Sequence, residues 1–424
     1  MNQAGRGRLA ALYGAGAAQL ALNAIAALLA TRALGPADRG VMVLGLTVGA
    51  IVGMVGGMGT GSALRARLPT AAGPGERLAL VRGYTWCTMV GTLFAPVAAV
   101  AVIRGSADFI DPALASAPFL AATAVFTAGQ TLLTQIADLF YADGRFRQGA
   151  LAAAAMSAAA LGGLLLVLSQ TRSVAALFLA QATGTLLVVP FLVVRLRRLG
   201  LVSFSLAGRT AMRPLIRRGL PALGLTVGLT LALRADRYLL GALAGTSAVG
   251  VYSLASTISE TSRILPTALG QLFLREVSLG QGVSRLARAS RFAVAASVAG
   301  GLVILAAGWA FIVPVFGAGF AGARGLLVVL VLAEVCFAPY AVTSRGLLGG
   351  GWTRTAGTLG VVGTVGALAV YAVSAAVAGA AGVAVGSAIV YAALSVSSWE
   401  LIRKHLRETE VSPLPATVQN GPSA

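Results

Sequence analysis

Charge is scarce in this chain, and the scarcity decides what class of protein it can be. Asp, Glu, Lys and Arg together make up 11% of its 424 residues, against roughly 25% in soluble domains. Lysine and histidine occur once each, as Lys404 and His405, and the two cysteines, Cys87 and Cys336, sit inside apolar stretches where they read as small buried hydrophobes. The only histidine lies near the C-terminus, and beyond Asp108 and Asp111 no outer loop clusters carboxylates. That leaves little from which to assemble an acid, base or metal constellation. A glycine-rich loop followed by lysine, which would cradle a nucleotide phosphate, is also missing. The expectation is a protein that is not an enzyme and holds neither metal nor cofactor.

What fills the sequence instead is hydrocarbon. Hydrophobic residues make up 57% of it and the mean hydropathy is +0.86. They recur as separated stretches of about twenty residues, long enough to cross a hydrocarbon layer of about 30 Å as helix. The alternating ten-residue segments of an outer-membrane barrel are absent, and the Ala, Leu and Gly content suits closely packed helices. The fold class is therefore all-α and polytopic. Twelve spans are predicted, at residues 9–30, 41–64, 83–104, 113–140, 148–168, 174–194, 219–241, 247–272, 289–313, 322–347, 355–377 and 381–402. The first stretch follows Arg6 and Arg8 and is as long as a full span, so it reads as helix and not as a cleaved signal.

A net charge of +19 would suit a nucleic-acid partner in a soluble protein. Here the arginines gather in the short links. With the N-terminus cytoplasmic, roughly 24 Lys and Arg residues fall in cytoplasmic links and tails, roughly five outside and three within spans, as the positive-inside bias requires. The charge reads as topology: the partner is the lipid bilayer, no nucleic acid is expected, and both termini lie in the cytoplasm.

The longest link, with Arg195, Arg197, Arg198, Arg209, Arg213, Arg217 and Arg218, divides the spans into two sets of six. The expected organisation is an N-terminal bundle at 1–195, a basic cytoplasmic linker at 196–218, a C-terminal bundle at 219–402 and a disordered cytoplasmic tail at 403–424. Each half carries the same corner. In ALGPADRGVMVLG, starting at Ala33, and LAGTSAVGVYSLA, starting at Leu243, Gly35 and Gly40-Val41 match Gly245 and Gly250-Val251 at equal spacing. Six helices per half give both copies one membrane orientation, which makes this a parallel duplication with a substrate path between the halves.

At that corner the sequence resembles the polysaccharide-type flippases of the multidrug, oligosaccharidyl-lipid and polysaccharide exporter superfamily. In the first half the resemblance rests on LLATRALGPADRGVMVLGLTVGAIVGMVGGMGTGSALRARLP. In the second it rests on RADRYLLGALAGTSAVGVYSLASTISETSRILPTALGQLF, and further on VFGAGFAGARGLLVVL, RGLLGGGWTR and AGAAGVAVGSAIVYAAL continue it. The resemblance implies two six-helix bundles around a central cavity. It also implies passage of undecaprenyl-linked sugars from the inner to the outer leaflet of the bacterial cytoplasmic membrane, with polysaccharide-assembly proteins as partners. Peptidoglycan-precursor flippases of the superfamily usually have two more helices than this chain has room for. A cation-coupled exporter of drugs or small molecules stays open as the alternative. A major-facilitator transporter does not fit, because RARLPTAAGPGERLALVR lacks that family's Gly, Asp and Gly-Arg loop pattern.

Charges inside a membrane are costly and mark candidate sites. Arg234, Asp236 and Arg237 fall in helix 7, Glu260 and Arg263 in helix 8, and Glu334 in helix 10. Arg234 and Arg237 share a helical side, roughly 22–27 Å along from Gly219. Guanidinium forks suit a carrier's diphosphate, and snorkelling or pairing with Asp236 is the structural alternative. Glu260 and Arg263, three residues apart, suggest an internal pair. Glu334 suggests ion coupling or a partner such as Arg263. Arg32 and Asp138, at the ends of helices 1 and 4, rank second.

Overall fold

The computed structural model describes residues 3–205, 208–270 and 283–411, and every regular element among them is helical. The crossings are α1 Gln3–Ala33, α2 Pro36–Gly56, α3 Pro74–Ser106, α4 Ala117–Ala142, α5 Phe146–Leu168 and α6 Val174–Arg198. After the link come α7 at 208–244 and α8 at 246–270, then α9 Val283–Phe316, α10 Ala323–Gly349, α11 at 353–377 and α12 at 380–411. Two pairs run on without a loop and are separated only by backbone. Gly245 at φ 83° turns α7 into α8, and Ala378 with Gly379 at φ 52° turns α11 into α12. Among the described residues nine helical stretches are long and apolar enough to cross a membrane; two of them contain these turns, and Ala18–Ala33 within α1 is a shorter apolar helix. The crossings thus number twelve.

Local chemistry explains where the elements depart from the expected spans. Pro36 and Pro74 each open a helix, at positions whose N–H has no intrahelical partner and whose φ proline already holds. Helix α2 therefore begins five residues before 41, which draws Arg39 into its first turn, and α3 begins well before 83. The span expected at 41–64 breaks where Met58 and Gly59 take left-handed conformations, and a short helix, Thr60–Arg67, follows. In α8 the turn Glu260–Arg263 tightens to a 3-10 helix. Pro266 accounts for it, since proline lacks an N–H and its ring clashes with the carbonyl four residues earlier, that of Ser262. Helix α12 continues to Val411, so residues 403–411, expected in a disordered tail, are helical; residues 412–424 of that tail and 271–272 of the eighth span lie outside the described residues.

The two copies of the corner meet. An added Cβ at Gly40 would lie 1.8 Å from the Thr246 carbonyl oxygen, and one at Gly250 would lie 1.8 Å from the Pro36 carbonyl oxygen. Thr246 holds in the second corner the place of Pro36 in the first, so the contact is reciprocal: each glycine receives the backbone of the other copy's helix start. Thr246 Oγ1 also donates to Asp111 Oδ2 at 3.0 Å, tying the α3–α4 loop to the same point.

Buried side chains follow this closure. One hydrophobic core runs through both halves at the corner end, from Leu34, Val41 and Leu44 to Leu240, Val249 and Phe320. At the opposite end, where the basic link lies, it divides. Leu64, Tyr84, Phe140, Leu196 and Leu215 form one cluster, and Leu286, Ala338, Leu347 and Ile402 another. The halves are joined at the corner end, and at the link end α7 stays packed on the first half, with Leu215 in the first cluster and Gly219 against Gly59.

The reciprocal glycine contact gives a test. Gly40→Ala and Gly250→Ala should each shift the corner end from closed to open by about tenfold or more, since overpacking a tight contact costs about 1–3 kcal/mol. Electron–electron distance measurement between spin labels at Gln170→Cys and Ala376→Cys, both exposed at the corner end on opposite halves, would show the longer distance gaining weight. An unchanged distribution in both variants would sink the closure argument.

Candidate functional site

The candidate charges of α7, α8 and α10 fall into two hydrogen-bonded groups that lie within electrostatic reach of each other. Asp236, 2% exposed, accepts from the N–H of Arg237 at 2.8 Å and from the Tyr252 hydroxyl at 2.6 Å. Tyr252 lies 3.2 Å from Ser387 Oγ on α12, which links three helices. Arg237 donates through Nη2 to Ser256 Oγ at 2.8 Å and to Glu260 Oε1, and Ser256 itself donates to Glu260 at 2.9 Å. Arg263 grips Glu334 with both forks, Nε to Oε2 at 2.8 Å and Nη2 to Oε1 at 2.6 Å, and reaches the Tyr391 hydroxyl at 3.3 Å. Its guanidinium lies 4.4 Å from the Phe337 ring centre and 5.4 Å from that of Tyr391. Planar charge, carboxylate and aromatic faces satisfy one another there.

Helix 8 thus holds no internal pair. Glu260 turns to α7 and Arg263 to α10, because Arg237 and Glu334 offer each of them a partner of opposite charge on a neighbouring helix. Helix α7 is itself fixed by hydroxyl donors from α11: Thr364 reaches the Gly228 carbonyl at 2.6 Å and Tyr371 that of Ala232 at 2.9 Å. Arg234, one turn before Arg237, is half-buried and has no ion pair or hydrogen bond among the described residues. It lies within electrostatic reach of Arg237, Glu260, Arg263 and Asp236.

The other two candidates stand apart. Arg32 is exposed in the last turn of α1 at the corner end. Asp138 lies at the link end of α4, pressed against Gly61, and pairs with the half-exposed Arg65 at 3.4 Å. The cluster therefore gathers Arg234, Asp236, Arg237, Glu260, Arg263 and Glu334 and leaves out Arg32 and Asp138.

Sequence reasoning missed Arg39. Placing the start of the second span at 41 put this residue in an outer loop, whereas Pro36 starts the helix and leaves Arg39 2% exposed within electrostatic reach of Arg237. The proline at the helix start was the signal. With Arg39 counted, four arginines face three carboxylates, one positive charge in excess when all are ionised. The tyrosines that complete the site, Tyr252 and Tyr391, gave no sequence signal, since a tyrosine in an apolar run reads as core.

Comparison with known proteins follows the same outline. The family model described as polysaccharide biosynthesis protein matches residues 10–274. Among solved structures, the chain is similar to a multidrug resistance MATE family transporter of the MOP superfamily in its inward-facing conformation, at 16% identity and TM-score 0.73, over 93% of this chain and 96% of that one. It is similar to the lipid II flippase MurJ in an inward closed conformation at 12% identity and TM-score 0.74, over 96% and 93%. A further likeness is to the Vibrio cholerae MATE transporter VcmN in its bent form, at 12% identity and TM-score 0.57, over 97% and 99%. No curated protein sequence matches the chain. At these identities the solved structures establish a shared fold.

The Arg263–Glu334 pair makes a stability prediction. Removing one partner strands a buried charge, so Arg263→Leu and Glu334→Leu should each destabilise by about 3–5 kcal/mol, whereas the double variant should recover most of the loss. Thermal unfolding of the purified single and double variants measures the coupling, and additive losses would show that the pair is not the unit described.

Proposed function

The chain belongs to the polysaccharide biosynthesis protein family, and on that premise we propose that it flips a polyprenyl-diphosphate-linked oligosaccharide from the inner to the outer leaflet of the bacterial cytoplasmic membrane. The observation that carries the reading is the buried cluster on α7, α8 and α10 of the second half, in which Arg234 holds a cation with no partner among the described residues while its neighbours are paired. A diphosphate head group needs such a cation, and guanidinium meets it with two parallel hydrogen bonds.

In this reading the link end faces the cytoplasm, as the basic residues gathered there favour. Residues 1–195 and 219–402 are the moving units, with 196–218 as the basic link that joins them. The closed corner supports an arrangement ready to receive cargo from inside. Rocking about the junction would part the corners and expose the head group outward, with polysaccharide-assembly proteins consuming it there. Arg237 and Arg263 contribute once their carboxylates, Glu260 and Glu334, exchange them for phosphate. Asp236 positions Arg237. In this reading Arg32, exposed at the corner end, and Asp138, at the link end, act at the two mouths of the path.

A drug exporter coupled to cations is the competing function, and Glu334 is the residue on which it would depend. Its bidentate hold on Arg263 disfavours a carboxylate waiting for a cation, so the saccharide reading stands first.

Reconstituted vesicles loaded with a fluorescent short-chain polyprenyl diphosphate saccharide separate the two. Arg234→Ala should slow flipping about tenfold or more, the loss of a charge-assisted contact of about 1.5–3 kcal/mol, with an unchanged melting temperature and partial rescue in Arg234→Lys. A wild-type rate in Arg234→Ala would remove the diphosphate role. Efflux of cationic dyes that vanishes in Glu334→Gln, with no saccharide movement in the wild type, would replace the function itself.

A further inference from the structure

Apart from the charged cluster, one cavity in the first half is shaped for hydrocarbon. It occupies about 480 Å³ between α3, α4, α6 and the opening residues of the link, within the roughly 300–1,000 Å³ of small-molecule clefts. Helix α3 lines it from Thr85 to Leu93, about 12 Å of helix. The hydroxyls of Thr85 and Thr88 turn to the carbonyls of Val81 and Tyr84, so this wall offers mainly hydrocarbon. Ile136 of α4 and Val193 of α6 add to it, and Val202 and Phe204 of the link complete it. Leu93, Phe94 and Val97 are all exposed on α3, an apolar run that belongs against lipid and not against water.

Two arginines stand at one end of this cavity. Arg82 lies one turn before Trp86 on α3, and Arg197 one turn after Val193 on α6, each on the side of its helix that lines the cavity. Because α3 runs away from the link end and α6 toward it, both guanidinium groups fall at the link end. Arg197 Cζ lies 5.5 Å from the centre of the Phe204 ring, the residue that closes the cavity. Arg82 Nε is buried with no hydrogen-bond acceptor, and neither arginine has an ion pair among the described residues. A hydrocarbon slot with two uncompensated cations at one end complements a hydrocarbon chain that carries a phosphate at one end. A zwitterionic lipid would bring a cation of its own to the same place and gain less.

We propose that an acidic phospholipid binds here, with an acyl chain in the cavity and its phosphate on Arg82 and Arg197. The occupant also bears on the join between the halves, because the start of the link is one wall of its site. The Trp86 indole N–H donates to the Ser205 carbonyl at 2.8 Å and the Ser203 N–H to Thr85 Oγ1 at 3.3 Å. A lipid seated between them and α6 holds the start of the link against α3. The site stands whatever the cargo is, since none of its residues belongs to the charged cluster or to the second half.

Native mass spectrometry of the delipidated full-length protein tests this, titrated in detergent with dioleoyl phosphatidylglycerol or with phosphatidylcholine of the same chains. The first lipid bound should favour phosphatidylglycerol. Replacing both arginines, Arg82→Gln with Arg197→Gln, should weaken that first binding about tenfold or more, as the loss of charge-assisted contacts implies, and should abolish the preference. Lysine at both positions should restore part of it. Arg195→Gln with Arg198→Gln, at exposed positions on the far side of α6, should leave it unchanged, which separates a built site from general surface charge. Met89→Trp, at an exposed position in the cavity wall, should exclude the acyl chain and lower the binding of both lipids without lowering the lipid-free melting temperature. Equal affinity for the two lipids, undiminished binding in the Arg82 and Arg197 variant or in Met89→Trp, or an equal loss in the Arg195 and Arg198 variant would each overturn the proposal. So would displacement of phosphatidylglycerol by an equimolar amount of farnesyl phosphate, which would give the cavity to a polyprenyl carrier instead.

Discussion

A charge buried among helices that cross a membrane must be matched where it stands, because there is no water to share the cost. In this chain that requirement binds α7, α8, α10 and α12 together. Asp236 reaches Tyr252, and Tyr252 meets Ser387; Arg237 reaches Ser256 and Glu260; Arg263 reaches Glu334 and Tyr391. Each step passes from one helix to another, so the sliding of one helix along its neighbour would break at least one charged contact. The first half carries its ion pairs at the link end, where Arg65 meets Asp138 at 3.4 Å and Asp143 meets both Arg77 and Arg145. Deeper in, its helices meet through small side chains and rings, with Thr131 reaching the Gly53 carbonyl at 3.2 Å and Phe119 and Phe126 tilted against Phe178. One half is tied by charge along its spans, the other by shape along its spans and by charge at its link end.

The asymmetry bears on how the halves come together. The corner contact is reciprocal in backbone, Gly40 against Thr246 and Gly250 against Pro36, yet the residues beneath it are not. The first corner carries Arg39 at a position where the second carries Val249, which is fully buried. The duplication thus supplies a symmetric hinge and divergence supplies a single cation under it. A closure built only on glycine and backbone would be indifferent to ions; with Arg39 buried next to Gly40, its energy depends on what charge is nearby.

Much of this fold was legible in the sequence, and the limits have physical causes. Twelve crossings follow from apolar length, and the paired corners from glycine spacing, because both are properties of single segments. Helix starts were placed late wherever proline opened the helix, at Pro36 and Pro74, since polar residues in a first turn resemble a loop when only hydropathy is read. That error hid Arg39. The candidate charges of helices 7, 8 and 10 were found by their cost in hydrocarbon, but their pairing was not. Spacing alone joined Glu260 to Arg263, whereas Arg237 and Glu334, on neighbouring helices, draw the two apart. Pairing is a property of three helices at once, and no single segment records it.

The paired state of most of these cations also suits a carrier better than a pocket of bare charge would. A site that held a diphosphate with four free guanidiniums would release it slowly, and each would be costly to bury while unoccupied. Where Glu260 and Glu334 already hold Arg237 and Arg263, an arriving phosphate replaces one anion with another. The gain on binding is then the difference between two similar contacts and not the whole of one. Such an exchange is reversible by construction, since the carboxylate remains on the neighbouring helix to reclaim its arginine when the phosphate leaves. In the proposed cycle only Arg234 provides uncompensated attraction, within reach of the ion-pair cluster. Affinity would therefore be concentrated at one point and exchanged at the others, which is what transport requires of a site.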